Sequence, residues 1–318
     1  MDISIMVEGQ DGLTWARWQR LAAEVEQLGF AGLFRSDHFT NADPPNLDSL
    51  EMVVSLAYLA SGTQRIHFGP CVAPVTFRDP VMWARQAAAI DDLSGGRMIL
   101  GIGAGWQQRE HAMFGYPLGD AATRLARLEE ALEVITRLLR GDGPASYEGQ
   151  FFQLREAELL PHPQRGAAFP IMVGGNGPKR TLPLVARYAD IWNAVFVRPE
   201  EFQARNESLD GMLRDAGRAP EAVRRTLMTA LFFGKDAAAL EKWTNRLRGR
   251  NAELAGMDDD AVVAFARASA PFIIGQPEQV RERLAAYAAA GVSEILLQWL
   301  DLDDIDGLRA FAEVAQTL

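Results

Sequence analysis

Three places in the 318-residue chain combine residue types that can do chemistry. The first is Asp37-His38, which follows a short apolar run ending at Arg35. An imidazole exchanges its proton near neutral pH, so His38 can donate a hydrogen bond to a ring or substrate oxygen, or act as acid or base. The plainer reading is a loop pair that caps the next element. The second place is Arg97-Met98-Ile99-Leu100-Gly101-Ile102-Gly103-Ala104-Gly105-Trp106, followed by Arg109, Glu110 and His111. A strand-like run there ends in alternating glycines, which lack Cβ atoms and let backbone approach a flat ligand closely. Trp106 can wall a substrate pocket and Glu110 can accept a proton or a hydrogen bond; otherwise Trp106 covers a rim and Glu110 is solvated. The third is Gly174-Gly175-Asn176-Gly177-Pro178-Lys179-Arg180. Free N–H groups at the start of a helix make a phosphate site, although a glycine-rich turn is often only a turn. Taken together, the three suggest an enzyme that holds a flavin-like ring.

A fourth segment, Gly69-Pro70-Cys71-Val72-Ala73-Pro74-Val75, reads as an irregular bulge, because proline cannot join a sheet ladder. Either the bulge presses backbone against a planar ring or the strand simply exits there. Cys71 has nothing nearby to lower its thiol pKa, which disfavours a nucleophilic role. As the one cysteine of the chain, it also rules out an internal disulfide and a multi-cysteine metal site. His67 and His162 show no metal-ligand spacing and no Gly-x-Ser-x-Gly elbow is present, so metal-dependent and serine hydrolases are disfavoured and no metal is expected.

Composition sets the outer bounds. Hydrophobic residues at 48% and charged residues at 23% fit a globular protein with a full core. A formal charge of −10, from 32 basic against 42 acidic residues, argues against a nucleic-acid or anionic-membrane partner. No apolar stretch approaches the roughly 18 residues that would suggest a membrane span. Met1-Asp2-Ile3-Ser4-Ile5-Met6-Val7 lacks a basic leader and reads as a first strand, so a cytoplasmic protein is expected.

The elements that must position these residues alternate along the chain. Strand-like runs at about 3–7, 31–35, 65–72, 97–103, 169–174, 189–194, 226–233, 271–275 and 292–299 are separated by helical patterns. The clearest helix covers about 121–140, where Leu125, Leu128, Leu132, Ile135 and Leu139 form one apolar face between Asp120 and Gly141. Other helices are expected at about 14–28, 48–60, 79–93, 179–187, 200–216, 278–290 and 304–318. Residues 145–160 read as an inserted hairpin or loop, and 236–268 as a helical insertion. About eight βα units without a divided linker predict one domain, residues 1–318, folded as a (β/α)8 TIM barrel with insertions at the C-terminal face. His38, Cys71, Trp106 and Gly174 then all fall at the C-terminal ends of strands, the face where such barrels carry their chemistry. Segments 106–119, 145–160 and 236–268 are expected to shape the substrate pocket.

The combined motifs resemble the bacterial luciferase-like superfamily, (β/α)8 barrels that use FMN or the deazaflavin coenzyme F420. The resemblance runs through Ser36-Asp37-His38-Phe39, Gly69-Pro70-Cys71-Val72, Asp91-Asp92-Leu93-Ser94-Gly95-Gly96-Arg97, Gly101-Ile102-Gly103-Ala104-Gly105-Trp106, Pro170-Ile171-Met172-Val173-Gly174-Gly175, Tyr188-Ala189-Asp190-Ile191-Trp192-Asn193 and Gly275-Gln276-Pro277-Glu278-Gln279-Val280. It covers nearly the whole chain and is nearer the F420-dependent oxidoreductase branch. It implies that His38 contacts the deazaflavin and assists catalysis, and Trp106 and Glu110 stand with it as the catalytic candidates read from the residues. It implies cofactor contacts at Asp37, His38, Cys71, Val72, Ala104, Gly105, Gly174, Gly175, Asn176 and Gly177, with a non-prolyl cis peptide at Cys71-Val72. One departure stands out: the sugar-phosphate dehydrogenase of this branch has an acidic glutamate where this chain has Trp106. The resemblance therefore implies hydride transfer between F420 and a small organic substrate, in a homodimer. The alternatives are an FMN-dependent monooxygenase fed by a separate flavin reductase, or a flavin-binding protein without turnover.

Overall fold

Residues 1–317 are described in a computed structural model of the chain. The period-two pattern of the strands sorts their side chains between two cores. In β1 (Asp2–Val7), Ile3, Ile5 and Val7 pack outward with the helices, while Met6 joins an inner cluster with Phe34, Met172, Met228 and Leu296. The helices pack outside: α1 (Trp15–Gln27), α2 (Met52–Gly62), α3 (Pro80–Ser94), α4 (Gln108–Phe114), α5 (Ala121–Arg140), α6 (Thr181–Tyr188), α7 (Pro199–Asp215), α8 (Ala237–Arg250), α9 (Asp259–Ser269), α10 (Pro277–Ala289) and α11 (Ile305–Ala315). The last helix was expected to reach Leu318, which lies outside the described residues.

The strands after β1 are β2 (Gly32–Arg35), β3 (His67–Pro70), β4 (Ala73–Pro74), β5 (Leu100–Gly103), the hairpin β6 (Ala145–Glu148) and β7 (Gln153–Ala157), then β8 (Ile171–Gly174), β9 (Ile191–Val195), β10 (Arg224–Phe233), β11 (Ile273–Gly275) and β12 (Glu294–Trp299). The main sheet runs β3-β2-β1-β12-β10-β9-β8-β5-β4, parallel throughout. Its margins meet where Phe68 N–H donates to Arg97 O (3.2 Å) and Ile99 N–H donates to Phe68 O (2.8 Å), which brings the barrel round. The expected third strand is in two pieces. It breaks after Pro70, passes through a cis Cys71–Val72 peptide, and resumes as β4 against β5.

Residues 145–160 have the expected hairpin and 236–268 the expected helices, but both lie away from the pocket. Residues 106–119 hold the short helix α4. The β6–β7 hairpin follows α5, so it sits where helices return the chain toward the strands' N-terminal ends, not at the pocket. There Glu130 accepts the N–H groups of Gln150, Phe151 and Phe152, and Arg137 donates to Ser146 O. Residues 236–268 form α8 and α9 over a small core of their own, in which Leu240, Trp243 and Val263 pack on Phe232. The 121–140 helix is as read: Asp120 accepts the Thr123 N–H, and Leu128, Leu132, Ile135 and Leu139 are buried.

Candidate active site

One cavity of about 600 Å³ opens at the C-terminal ends of the strands. Its wall includes Glu8 and Gln10 after β1, His38 after β2, Cys71 and Val72 at the break in the third strand, and Gly103 to Trp106 after β5. Glu110 on α4, Gly174 and Gly175 at β8, Asn193, Val195 and Phe196 at β9, Met228 on β10 and Gln298 on β12 complete most of the ring. Of the three segments expected at the pocket, only 106–119 reaches it; none of 145–160 or 236–268 lines it.

His38 is fixed by a carboxylate that the sequence places 72 residues away. Its Nδ1 lies 2.8 Å from Glu110 Oε1, and the other carboxylate oxygen accepts the Phe39 N–H at 3.0 Å. Glu110 is buried. It stays in place because α4 is stitched to the loop after β2. Gln107 accepts the Glu110 N–H (3.1 Å) and donates to Thr40 O (2.8 Å), while Arg109 donates to Asn41 O (2.7 Å). His111 adds a second tie, with Nδ1 2.6 Å from Gln107 O and Nε2 2.7 Å from Thr76 Oγ1. Burial alone would lower the His38 pKa, but the Glu110 hydrogen bond and charge, helped by Glu8 and Asp37, outweigh it and hold the ring above the ordinary imidazole value. Trp106, 63% exposed, stands edge-on to His38 with ring centroids 5.6 Å apart.

The floor of the cavity is a wedge made possible by missing side chains. A Cβ at Gly103 would lie 2.6 Å from Val72 Cγ2, and one at Gly174 would lie 3.0 Å from Val72 Cγ1. Val72 therefore occupies the space that three glycines leave open, counting Gly101, whose Cβ would meet Pro70 O at 1.9 Å and Val72 Cγ1 at 3.4 Å. Gly105 and Gly175 have φ of +79° and +132°, which favours glycine at both rim positions. The result is an apolar ledge beside a glycine-lined rim, a shape that fits a flat conjugated ring with a tail. Cys71 sits in that ledge with its thiol donating to Asn193 Oδ1 (3.3 Å), and burial pushes its pKa far up, so it is no nucleophile.

Three of the residues expected to contact the cofactor do not line the cavity. Asp37 is outside the cavity wall, because both its oxygens accept from Arg78 (2.8 and 2.6 Å). Asn176 is turned to β9, where its side chain donates to Val195 O (2.6 Å) and accepts from Val195 N–H (2.9 Å). Gly177 accepts the first N–H groups of α6 from Thr181 and Leu182. The remaining expected residues, His38, Cys71, Val72, Ala104, Gly105, Trp106, Glu110, Gly174 and Gly175, share the one cavity. Reasoning from sequence missed Glu8, Gln10 and Gln298. Their signal was weak: single polar residues just past or near the end of an apolar strand. Among the described residues no cluster of metal-ligating side chains occurs, and no helix is long and apolar enough to cross a membrane.

The family model described as luciferase-like monooxygenase matches residues 3–294. The chain belongs to that family. Among similar luciferase-like proteins is the phthiodiolone/phenolphthiodiolone dimycocerosates ketoreductase of Mycobacterium kansasii, 33% identical over 226 residues, 70% of this chain and 58% of that one. This chain thus matches little more than half the length of that relative. An oxidoreductase of Mycobacterium tuberculosis, provisionally assigned to coenzyme F420, is 26% identical over 91% of this chain and 92% of its own. Among solved structures, an F420-dependent secondary alcohol dehydrogenase with an F420–acetone adduct superposes with a TM-score of 0.82, at 19% identity, over 98% of this chain and 97% of its own. Monooxygenases stand among the matches as well, so the proteins similar to this chain include both oxidoreductases and monooxygenases.

Proposed function

We propose that this luciferase-like protein is an F420-dependent oxidoreductase that interconverts a ketone and its alcohol. The observation that carries the reading is the His38–Glu110 pair on the wall of the cavity. When bound, the deazaflavin supplies or accepts a hydride at its ring carbon. The ledge of Cys71, Val72 and Met228 would hold the ring, with Gly174 and Gly175 at the tail side. Carbonyl reduction also needs a proton at oxygen, and His38 is set to give it. Its Nδ1 is committed to Glu110, which leaves Nε2 as the atom that moves the proton. Glu110 keeps the imidazolium from losing that proton early, and holds the ring in one orientation. In the oxidising direction the same nitrogen takes the proton back. The ketoreductase and F420 relatives support this reading, and the departure at Trp106 leaves His38 as the acid in the wall.

The test is a side-by-side titration with oxidised F420 and with FMN, followed by quenching of tryptophan fluorescence, with ketones then added to the reduced cofactor. Tight binding of F420 and its oxidation by a ketone are expected. In that assay His38→Ala should lower turnover by roughly 10²–10⁴-fold, while F420 affinity changes little. Equal turnover in the variant ends the role of His38. A preference for FMN, with oxygen uptake, moves the protein to the monooxygenase side of its family.

A further inference from the structure

The charged groups that face the cavity are few and of uneven sign. They are Glu8, His38 and Glu110; no lysine or arginine is among the lining residues. Two guanidinium groups beside the loop after β2 are occupied by other partners. Arg78 is held by Asp37 and Glu51, and Arg35 by Ser36 O, Ser55 Oγ and Leu50 O. With Glu110 bound to His38, Glu8 is the carboxylate of the cavity wall that no lining histidine, lysine or arginine pairs with.

Glu8 is held in place by donors. Gln10 Nε2 donates to Oε2 at 2.8 Å, and Gln298 Nε2 donates to Oε1 at 2.5 Å. The Ser36 hydroxyl donates to Gln10 Oε1 at 2.7 Å, which fixes which end of that amide faces the carboxylate. A carboxylate can accept about four hydrogen bonds, and these two donors leave acceptor capacity directed at the cavity. Its place relative to the reacting centre follows from register. Val7 and Arg35 are paired on β1 and β2, neighbouring strands roughly 4.8 Å apart, so the chain leaves β1 at Glu8 and leaves β2 through Ser36 and Asp37 to His38. The charge of Glu8 is among those that favour the proton on His38.

We propose that Glu8 selects the substrate: it takes a carbonyl compound that bears a hydrogen-bond donor, hydroxyl or ammonium, on the carbon beside the carbonyl, and turns away carboxylates and phosphates. This rests on the carbonyl-reduction reading above. A half-buried acceptor on the cavity wall discriminates, because a substrate without the donor pairs with it less well and an anion meets a like charge with no lining lysine or arginine to offset it.

Four ligands of one skeleton test it: acetone, hydroxyacetone, aminoacetone and pyruvate, titrated into the F420-loaded protein with tryptophan fluorescence as the readout. Hydroxyacetone and aminoacetone should bind about tenfold tighter than acetone, and pyruvate more weakly than acetone. A lead for aminoacetone over hydroxyacetone assigns the ammonium as the donor; the reverse assigns the hydroxyl. Glu8→Gln should bring the four within about threefold of one another. Glu8→Ala leaves the amides of Gln10 and Gln298 free and should reverse the order in favour of pyruvate. Thermal melting of each variant checks that it is folded. Pyruvate binding as well as hydroxyacetone in the wild type overturns the proposal, as does an order unchanged in both variants or no measurable binding of any ligand. The functional reading is scored separately, by oxidation of reduced F420. Binding in the expected order without turnover of any ketone ends that reading and leaves the selection by Glu8 standing.

Discussion

Replacing Gly103 with alanine tests whether Val72 shapes the ledge on which a ring would rest. The new Cβ would lie 2.6 Å from Val72 Cγ2, against roughly 3.5–4.0 Å for carbons in ordinary contact. About 1 Å of movement is therefore forced. Turning the valine is resisted, because a β-branched side chain is stiff at χ1. The bulge must shift into the cavity. Overpacking of this kind destabilises by about 1–3 kcal/mol. A reacting centre misplaced by about 1 Å loses roughly 10²-fold in rate. Urea unfolding reads the first effect, and F420 titration with single-turnover kinetics reads the second. Val72→Ala in the same chain removes both methyls, so the double variant should recover part of each loss, with a coupling of about 0.5–3 kcal/mol. Gly103→Ala behaving as wild type, or losses that simply add in the double variant, refutes the wedge.

The other predictions concern charge and loop closure. Glu110→Gln removes the charge that holds the His38 pKa above its ordinary value, so the pH above which kcat/KM falls should move down, with about a tenfold loss at alkaline pH; an unmoved limb separates Glu110 from proton transfer. At the N-terminal end of the barrel, buried Glu294 accepts from the Ser4 hydroxyl (2.5 Å), sits 2.7 Å from His67 Nε2 and pairs with Arg224 (3.3 Å). Burial alone would raise its pKa, yet His67, Arg224 and Ser4 together hold it below the usual carboxylate range. Its contribution is thus present above the unfolded-state value near 4.3 and fades as pH falls through the depressed one; Glu294→Gln should flatten the acid side of the melting curve and cost on the order of 3 kcal/mol at neutral pH. Asn176→Ala frees both backbone groups of Val195 and should cost about 2 kcal/mol in urea unfolding, with F420 affinity falling as the rim at Gly175 loosens.

Much of the barrel was legible because two periods alternate in the sequence, and because strand ends carry glycine where backbone must come close. The wall residues at His38, Cys71, Gly105 and Gly174 were readable for the same reason: each follows an apolar run directly, so knowing the fold nearly fixes the position. What stayed hidden depends on partners far along the chain. Asp37 reads as a site residue beside His38, yet Arg78, 41 residues on, takes both its oxygens. α4 spans only seven residues, too few to show a helical period, so Glu110 could be suspected but not joined to His38. Glu8 is one acidic residue after a strand, and only the β1–β2 and β1–β12 registers bring it to the cavity beside His38 and Gln298.

These late-appearing contacts also divide the labour within the cavity. The parallel strands set distances of a few ångströms between residues that leave adjacent ends, and those distances are the same in any barrel of this kind. What is particular to this chain is how the polar groups are held. His38 is braced from α4 through Glu110 and Gln107, whereas Glu8 is braced from within the sheet through Gln10 and Gln298. The two supports share no residue. A substitution in the first should therefore change the rate and its pH dependence, and a substitution in the second should change which carbonyl compound binds, with a smaller downward shift of the pH limb because the Glu8 charge also favours the proton on His38. Variants at Glu110 and Glu8 measured side by side separate the two: selectivity among carbonyl compounds should move with Glu8 and not with Glu110, and a selectivity change of equal size in the Glu110 variant refutes the division.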